Sequence, residues 1–364
     1  MTRTTAPNFG GRNLVNLVAE IEARATGTSP SLRLDPELSQ KIPHGRSTVL
    51  VLFDGLGSHQ LSHQQATHLA SAHVGDIDAP FPTTTTVSLA SVATGLPPVA
   101  HGLIAYQLWN PRVGHVVNTI HMTTMFGDRI DQDHGSFLPE SNLWERLSHS
   151  GTEPICVQPE HFDRTPLSLA LYRGASFTPY GSLDEALDRT VELARTPGAF
   201  VFLYVPHIDF AAHVSGQSSE DYGIAMANAD GLWARLMTDL GDETTLIGTS
   251  DHGHIDIKEQ NKVRLVQEQV RDLIVYGDAR ALFVRGDGAT LARDLPADWI
   301  PIDKTTALWG PGPRHETFDE RKPDGILFAH DARAIFHPRA NDRLIGHHGG
   351  LSDEERVIPL LVRD

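Results

Sequence analysis

Apolar residues in this chain come in short dense runs separated by longer amphipathic stretches. Residues 47–53 (STVLVLF) form a continuous apolar run, which predicts a strand buried on both faces. Residues 153–157, 200–205 and 244–249 read as further strands. Between them, 13–24, 59–72, 87–94, 143–148, 183–194 and 220–240 read as helices, the third stopped by Gly95, Pro97 and Pro98. Strands alternating with helices predict an α/β fold whose mostly parallel sheet is covered by helices on both faces.

The alternation changes after residue 254. Short strands are expected at 281–284, 325–328 and 334–336, interrupted by PADWIPIDK and WGPGPRHETFDERKPDG. The expected organisation is therefore an α/β core over 1–254, a small inserted α+β cap over 255–345, and a return to the core over 346–364 with a last strand at 357–362.

Composition narrows the function classes. The 364 residues carry a formal net charge of −16, so no basic field exists for a nucleic-acid polymer as main partner. A small phosphorylated substrate stays open, because bound metals would dominate the local field. The single cysteine, Cys156, precludes an internal disulfide and reads as a buried small hydrophobe. No signal peptide or membrane-length apolar segment is visible, so a cytoplasmic protein without a membrane partner is expected.

Chemistry enters through a set of scattered residues. Asp54 ends the first apolar run, in VLFDGLG. Asp209 and His213 stand four apart in YVPHIDFAAHVSG, Asp251 and His252 are adjacent in LIGTSDHG, and His348 lies in GHHGGLSDEE. Three carboxylates and three imidazoles suit two divalent ions of the zinc type, with Mn²⁺ or Fe also compatible with N/O ligands. Thr85, within FPTTTTVSLASVATG, offers a hydroxyl nucleophile at a helix start, where backbone N–H groups favour a phosphate. Each piece alone has a plainer reading: Asp54 as a turn residue, the threonines as helix caps, Asp209 and His213 as a surface pair. His59, His63, His68 and His73 read as a solvated helix face. His207 and His254 flank the ligand motifs, and His347 adjoins His348.

These motifs, in this order, resemble the alkaline phosphatase superfamily, most closely its nucleotide pyrophosphatase/phosphodiesterase branch. The matching pieces are Asp54-Gly55 after a strand, Thr94-Gly95 followed by His101-Gly102, Asp209-x-x-x-His213-x-x-Gly216, Ser250-Asp251-His252-Gly253, and His348-Gly349. The resemblance implies that Asp54, Thr85, Asp251 and His252 hold one metal and that Asp209, His213 and His348 hold the other. It also implies that Thr85, nine positions before Thr94, is the nucleophile, with Thr84 and Thr86 as the alternatives. The implied reaction is hydrolysis of a phosphodiester or nucleotide pyrophosphate bond through a phosphothreonine intermediate.

Two positions depart from that branch. Tyr106 stands where an Asn often contacts a phosphoryl oxygen, and Thr84 stands where a Lys often precedes the nucleophile. Tyr106 is thus a candidate substrate contact, and specificity is expected to lie in the cap and in residues 106–133. Two divalent cations offset three carboxylates and a threonine alkoxide, so the resting centre is near neutral and suits a monoanionic diester. Arg314, Arg321 and Lys322 are the cap cations that would change that balance by reaching in. The competing readings are a phosphomonoesterase or phosphonate hydrolase on the same scaffold, and a non-catalytic ligand-binding relative. A sulfatase is disfavoured by the absence of a Cys/Ser-x-Pro-x-Arg motif, and a phosphosugar mutase by threonine in place of serine.

Overall fold

The computed structural model of the protein describes residues 5–130, 137–138 and 141–363. Its centre is a seven-stranded sheet of β1 (Ser47–Phe53), β2 (His73–Asp78), β3 (Glu153–Pro159), β4 (Ser176–Tyr180), β5 (Ala199–Val205), β6 (Thr244–Thr249) and β7 (Val357–Val362). The spatial order is β2-β7-β6-β1-β5-β3-β4. Strands β6, β1, β5, β3 and β4 are parallel, and β7 runs antiparallel to both β6 and β2.

The apolar run of β1 serves two cores, because successive side chains point to opposite faces. Leu50 and Leu52 pack with the helices Leu14–Thr26, Thr85–Thr94 and Leu143–His149. Val49, Val51 and Phe53 pack with Leu183–Ala194 and Glu220–Asp239. Trp144 anchors the first core against Phe200 and Phe202, with its indole N–H donating to Leu171 O at 2.7 Å. Cys156 is fully buried in that core, as its composition-level reading anticipates.

The region 59–72 is not one helix. It forms a 3₁₀ turn at Ser58–Ser62 and a short helix at Thr67–Ser71, then enters β2 at His73. Strand β2 lies at the sheet edge, with β7 its one strand neighbour among the described residues and a bridge from Asp78 to Asn13, so its sequence HVGDID lacks the apolar signature of a central strand. The histidines accordingly share no face. His63 packs edge-on to Tyr222, His68 bonds Asp230 at 2.7 Å, and His73 bonds Asp76 at 2.8 Å. The other edge strand, β4, escapes sequence reading for the same reason.

Within 255–345 a four-stranded antiparallel sheet forms, ordered Ile274–Asp278, Ala281–Arg285, Gly325–Ala329, Ala297–Pro301. Ala297–Pro301 falls in the stretch read above as an interruption; pairing with Gly325–Ala329 makes it a strand. One face of this sheet, including Phe283 and Phe328, meets Phe81 and joins the first core. A three-stranded sheet at Gln107–Asn110, His115–Asn118 and Thr123–Thr124 precedes it in the chain. Of the expected specificity segment 106–133, residues 131–133 lie outside the described residues.

The turn joining the first two antiparallel strands is fixed by a buried ion pair. Arg280 Nη2 lies 3.0 Å from Glu355 Oε2, and both side chains are almost fully buried. Glu355 also accepts the Gly350 N–H at 2.9 Å. Burial opposes ionisation of Glu355, but the Arg280 charge and hydrogen bonds outweigh it and hold the carboxyl below its ordinary value. Arg280→Ala strands that carboxylate, and an unfolding free energy lower by about 3–5 kcal/mol is expected in urea denaturation. A loss below about 1 kcal/mol would show that the pair does not fix the turn.

Candidate metal centre

The candidate ligands gather at the C-terminal edge of the parallel strands, where open α/β sheets bind ligands. Asp54 follows β1 directly, and Asp251 and His252 lie just beyond β6. Asp209 and His213 lie one turn apart on the helix His207–Ser215 after β5. His348 stands between the short strand Gly346–His347 and β7. Backbone bonds knit these segments: Asp54 N–H donates to Val205 O and Asp209 N–H to Asp54 O, each at 3.0 Å. Gly55 permits this approach. It has φ of +76°, and a Cβ there would lie 2.9 Å from Asp209 Cα.

Two clusters result. In one, His252 Nε2 lies 3.5 Å from both Asp54 Oδ1 and Asp251 Oδ2. In the other, Asp209 Oδ1 lies 3.3 Å from His213 Nε2 and 4.0 Å from His348 Nε2, and the two imidazole nitrogens are 3.2 Å apart. The His252 and His348 rings stack at 3.8 Å, so the clusters adjoin. Such spacings are those of neighbouring ligands around one ion with bonds of about 2 Å.

The hydrogen bonds fit the same purpose. His213, His252 and His348 each donate from Nδ1 to a backbone carbonyl, of Gly346, Gly253 and Thr83 respectively. That tautomer leaves every Nε2 lone pair free for a cation. Asp54 Oδ2 accepts from the Tyr204 hydroxyl, and Asp251 Oδ1 accepts the Gly55 and His252 N–H groups. The opposite oxygens, Asp54 Oδ1 and Asp251 Oδ2, are buried with no partner among the described residues. Burial, then the charges of Asp251 and Asp209, push Asp54 well above the usual carboxylate range. Burial also pushes Asp209 up, but His213 and the His254 hydrogen bond reverse this, and its carboxyl lies well below that range. Burial keeps His348 neutral, far below its ordinary value. A donor set that is crowded, buried and half-unpartnered fits divalent ions well.

Of the four threonines, three are almost fully buried: Thr83, Thr84 and Thr86. Thr83 Oγ1 is taken up by Gly349 and Gly350, and Thr84 caps the helix. Thr85 Oγ1 alone reaches the clusters, 3.2 Å from His252 Nε2 at the first turn of Thr85–Thr94. Tyr106 lines a cavity of 380 Å³ shared with Thr85, Asp209, His213 and His348. Its hydroxyl accepts from Asn118 Nδ2 at 2.8 Å, leaving its own proton to donate.

The sequence profile of the family described as type I phosphodiesterase / nucleotide pyrophosphatase matches residues 48–290. The chain belongs to that family. Membership makes it a phosphoric ester hydrolase, and the two clusters are the candidate residues for the divalent metals that family enzymes use. His348 lies beyond the matched span, and folding brings it to the others. A search of curated proteins finds no match. Among solved structures, murine ectonucleotide pyrophosphatase / phosphodiesterase 5 shares the fold at 18% identity, covering 86% of this chain and 87% of that one, with a TM-score of 0.68. Phosphonoacetate hydrolase from Sinorhizobium meliloti shares it at 15% identity, covering 88% and 91%, with a TM-score of 0.64.

Several groups at this candidate centre carry little sequence signal. Tyr204 is indistinguishable from the other apolar residues of β5 until its hydroxyl is seen on Asp54. His254, one of the flanking histidines, bonds Asp209 Oδ1 at 2.7 Å through Nε2 and joins the second cluster; burial lowers its pKa to about 4. His207 lies on a cavity wall with one ring nitrogen unpartnered among the described residues, and His347 Nε2 lies 3.2 Å from Leu344 O. The three cations singled out in the sequence do not reach in. Arg321 is buried against the Gly102 and Phe137 carbonyls, and Arg314 and Lys322 pair with Asp319.

Proposed function

We propose that the protein is a metal-dependent phosphodiesterase or nucleotide pyrophosphatase in which Thr85 is the nucleophile. Asp54, Asp251, His252 and Thr85 hold one ion, and Asp209, His213 and His348 hold the other, with zinc the best match to these N/O donors. The bound ions supply Lewis-acid charge and lower the pKa of the threonine hydroxyl and of water. Thr85 Oγ1 attacks phosphorus, the bond to the leaving alcohol or phosphate breaks, and a phosphothreonine forms. Water then attacks that phosphorus and releases Thr85. The helix start beneath Thr85 directs N–H groups at the developing negative charge, and Tyr106 offers a hydroxyl in the cavity beside it.

One observation carries the choice of diester. Two cavities meet at Thr85 and Asp209, and no lysine or arginine lines either among the described residues. The first is walled in part by residues 277–344, so the proposed cap over 255–345 contributes to specificity. The second, 660 Å³, runs from Asp54 past Phe162, Tyr204, Phe210 and Ile224 and is mainly apolar. Two arms for two ester substituents and no spare cation favour a monoanionic phosphorus over a dianionic monoester, whose extra charge lacks a partner. AMP bound to an inactive murine relative and phosphonoacetate bound to the bacterial one are ligands of those proteins; here they mark the size class of ligand the scaffold holds.

Metal-reconstituted protein should hydrolyse bis-p-nitrophenyl phosphate with kcat/KM at least about tenfold above p-nitrophenyl phosphate, a gap of about 1.4 kcal/mol. A monoester preference would reject the diesterase reading in favour of the monoesterase. Turnover of phosphonoacetate above both would point to a phosphonate hydrolase.

A further inference from the structure

The first cavity contains a group that the chemistry above does not use. Asp278 lies in the turn between Ile274–Asp278 and Ala281–Arg285 and lines the same cavity as Thr85, Asp209 and His348. Its Oδ2 is buried with no partner among the described residues. The nearby arginine does not serve it, because Arg280 is committed to Glu355 and to the Asp331 and Arg333 carbonyls. Burial and the Glu355 charge push this carboxyl up to about 7, and a cationic donor arriving from the cavity that Asp278 lines would offset that cost and favour the ionised form.

Asp278 is also built to stay where it is. Gly349, next to His348, adopts φ of +105°, and a Cβ there would lie 2.5 Å from Asp278 Cβ. The turn is pinned by the Arg280–Glu355 pair, and Glu355 holds the Gly350 N–H. The carboxylate is therefore held at a fixed place beside the loop that carries His348. No lysine or arginine lines this cavity among the described residues, so no protein ammonium or guanidinium neutralises the carboxylate there.

We propose that Asp278 is a specificity-determining residue that receives an ammonium group on one arm of the substrate, so that the preferred substrates are zwitterionic phosphodiesters carrying an amine. The inference rests on the diesterase reading and extends it. A phosphate at Thr85 and an amine at Asp278 complement the cavity in both signs, and a charge-assisted hydrogen bond rewards the cation over a neutral donor. The apolar second cavity then takes the uncharged arm.

Three p-nitrophenyl diesters test this, with 2-aminoethyl, 2-hydroxyethyl or propyl as the second substituent, assayed at mildly alkaline pH. The aminoethyl ester should exceed the propyl ester in kcat/KM by about tenfold or more, and the hydroxyethyl ester should lie near the propyl one. Asp278→Asn should bring the aminoethyl-to-propyl ratio close to one, and Asp278→Glu, which keeps the charge, should retain part of the preference. A wild-type ratio near one overturns the inference whether or not the variants fold. So does a preference that survives Asp278→Asn, and a hydroxyethyl ester matching the aminoethyl one would instead assign Asp278 to a hydroxyl. Inactivity on all three esters overturns the diesterase reading and this inference together, whereas equal turnover of all three overturns this inference alone.

Discussion

Thr85→Ala should reduce turnover by on the order of 10⁴-fold or more while the protein stays folded and keeps most of its metal. The size of the effect follows from position. Thr85 is the one threonine of four whose hydroxyl reaches the clusters, at 3.2 Å from His252 Nε2. The remaining donors Asp54, Asp251 and His252 persist in the variant, so occupancy falls far less than rate. Thr86→Ala removes a buried hydroxyl that has no partner among the described residues and should be tolerated. Thr84→Ala alters a helix cap that makes no side-chain hydrogen bond and should also be mild. Measuring kcat, metal content and circular dichroism on all three separates the roles. An active Thr85→Ala beside an inactive Thr84→Ala or Thr86→Ala would move the nucleophile along the run, and activity in all three would refute covalent catalysis by this loop.

Chelation should abolish activity just as completely and should lower the melting temperature, because ligands that bind only the folded state stabilise it by mass action. Removing cations leaves Asp54, Asp209 and Asp251 facing one another in a buried space, and burial together with its two acidic neighbours already drives Asp54 upward. Purified protein should carry close to two metal equivalents. Asp209→Ala or His348→Ala should empty one position, and Asp251→Ala the other, each readable by elemental analysis. Full activity in excess chelator, with no stoichiometric metal, would remove the basis of the proposed chemistry.

The residues at the centre were legible because strand ends and ligand types coincide in the sequence. An apolar run such as 47–53 reports its own burial, and an acid directly after it reports an exposed edge. The edge strands were not legible, because β2 and β4 are paired on one side only and need no continuous apolar run. The strand Ala297–Pro301 was hidden for a related reason: its conformation is set by Gly325–Ala329, distant in sequence. Asp278 could not be singled out either. Its significance comes from what fails to pair with it, and Arg280, two residues away, would suggest the opposite until Glu355 is seen to claim it. Tyr204 was similarly masked by its own strand.

The placement of β7 has a bearing on how the protein is made. Strand β7 is the last element of the chain, yet it lies inside the sheet between β2 and β6, and His348 shortly precedes it. During synthesis β2 and β6 therefore each keep an unpaired flank, and the other candidate ligands wait for His348, until residues 348–362 have emerged. A chain truncated before His348 would lack one of the proposed ligands and, with β2 and β6 open, would be prone to pair with other chains.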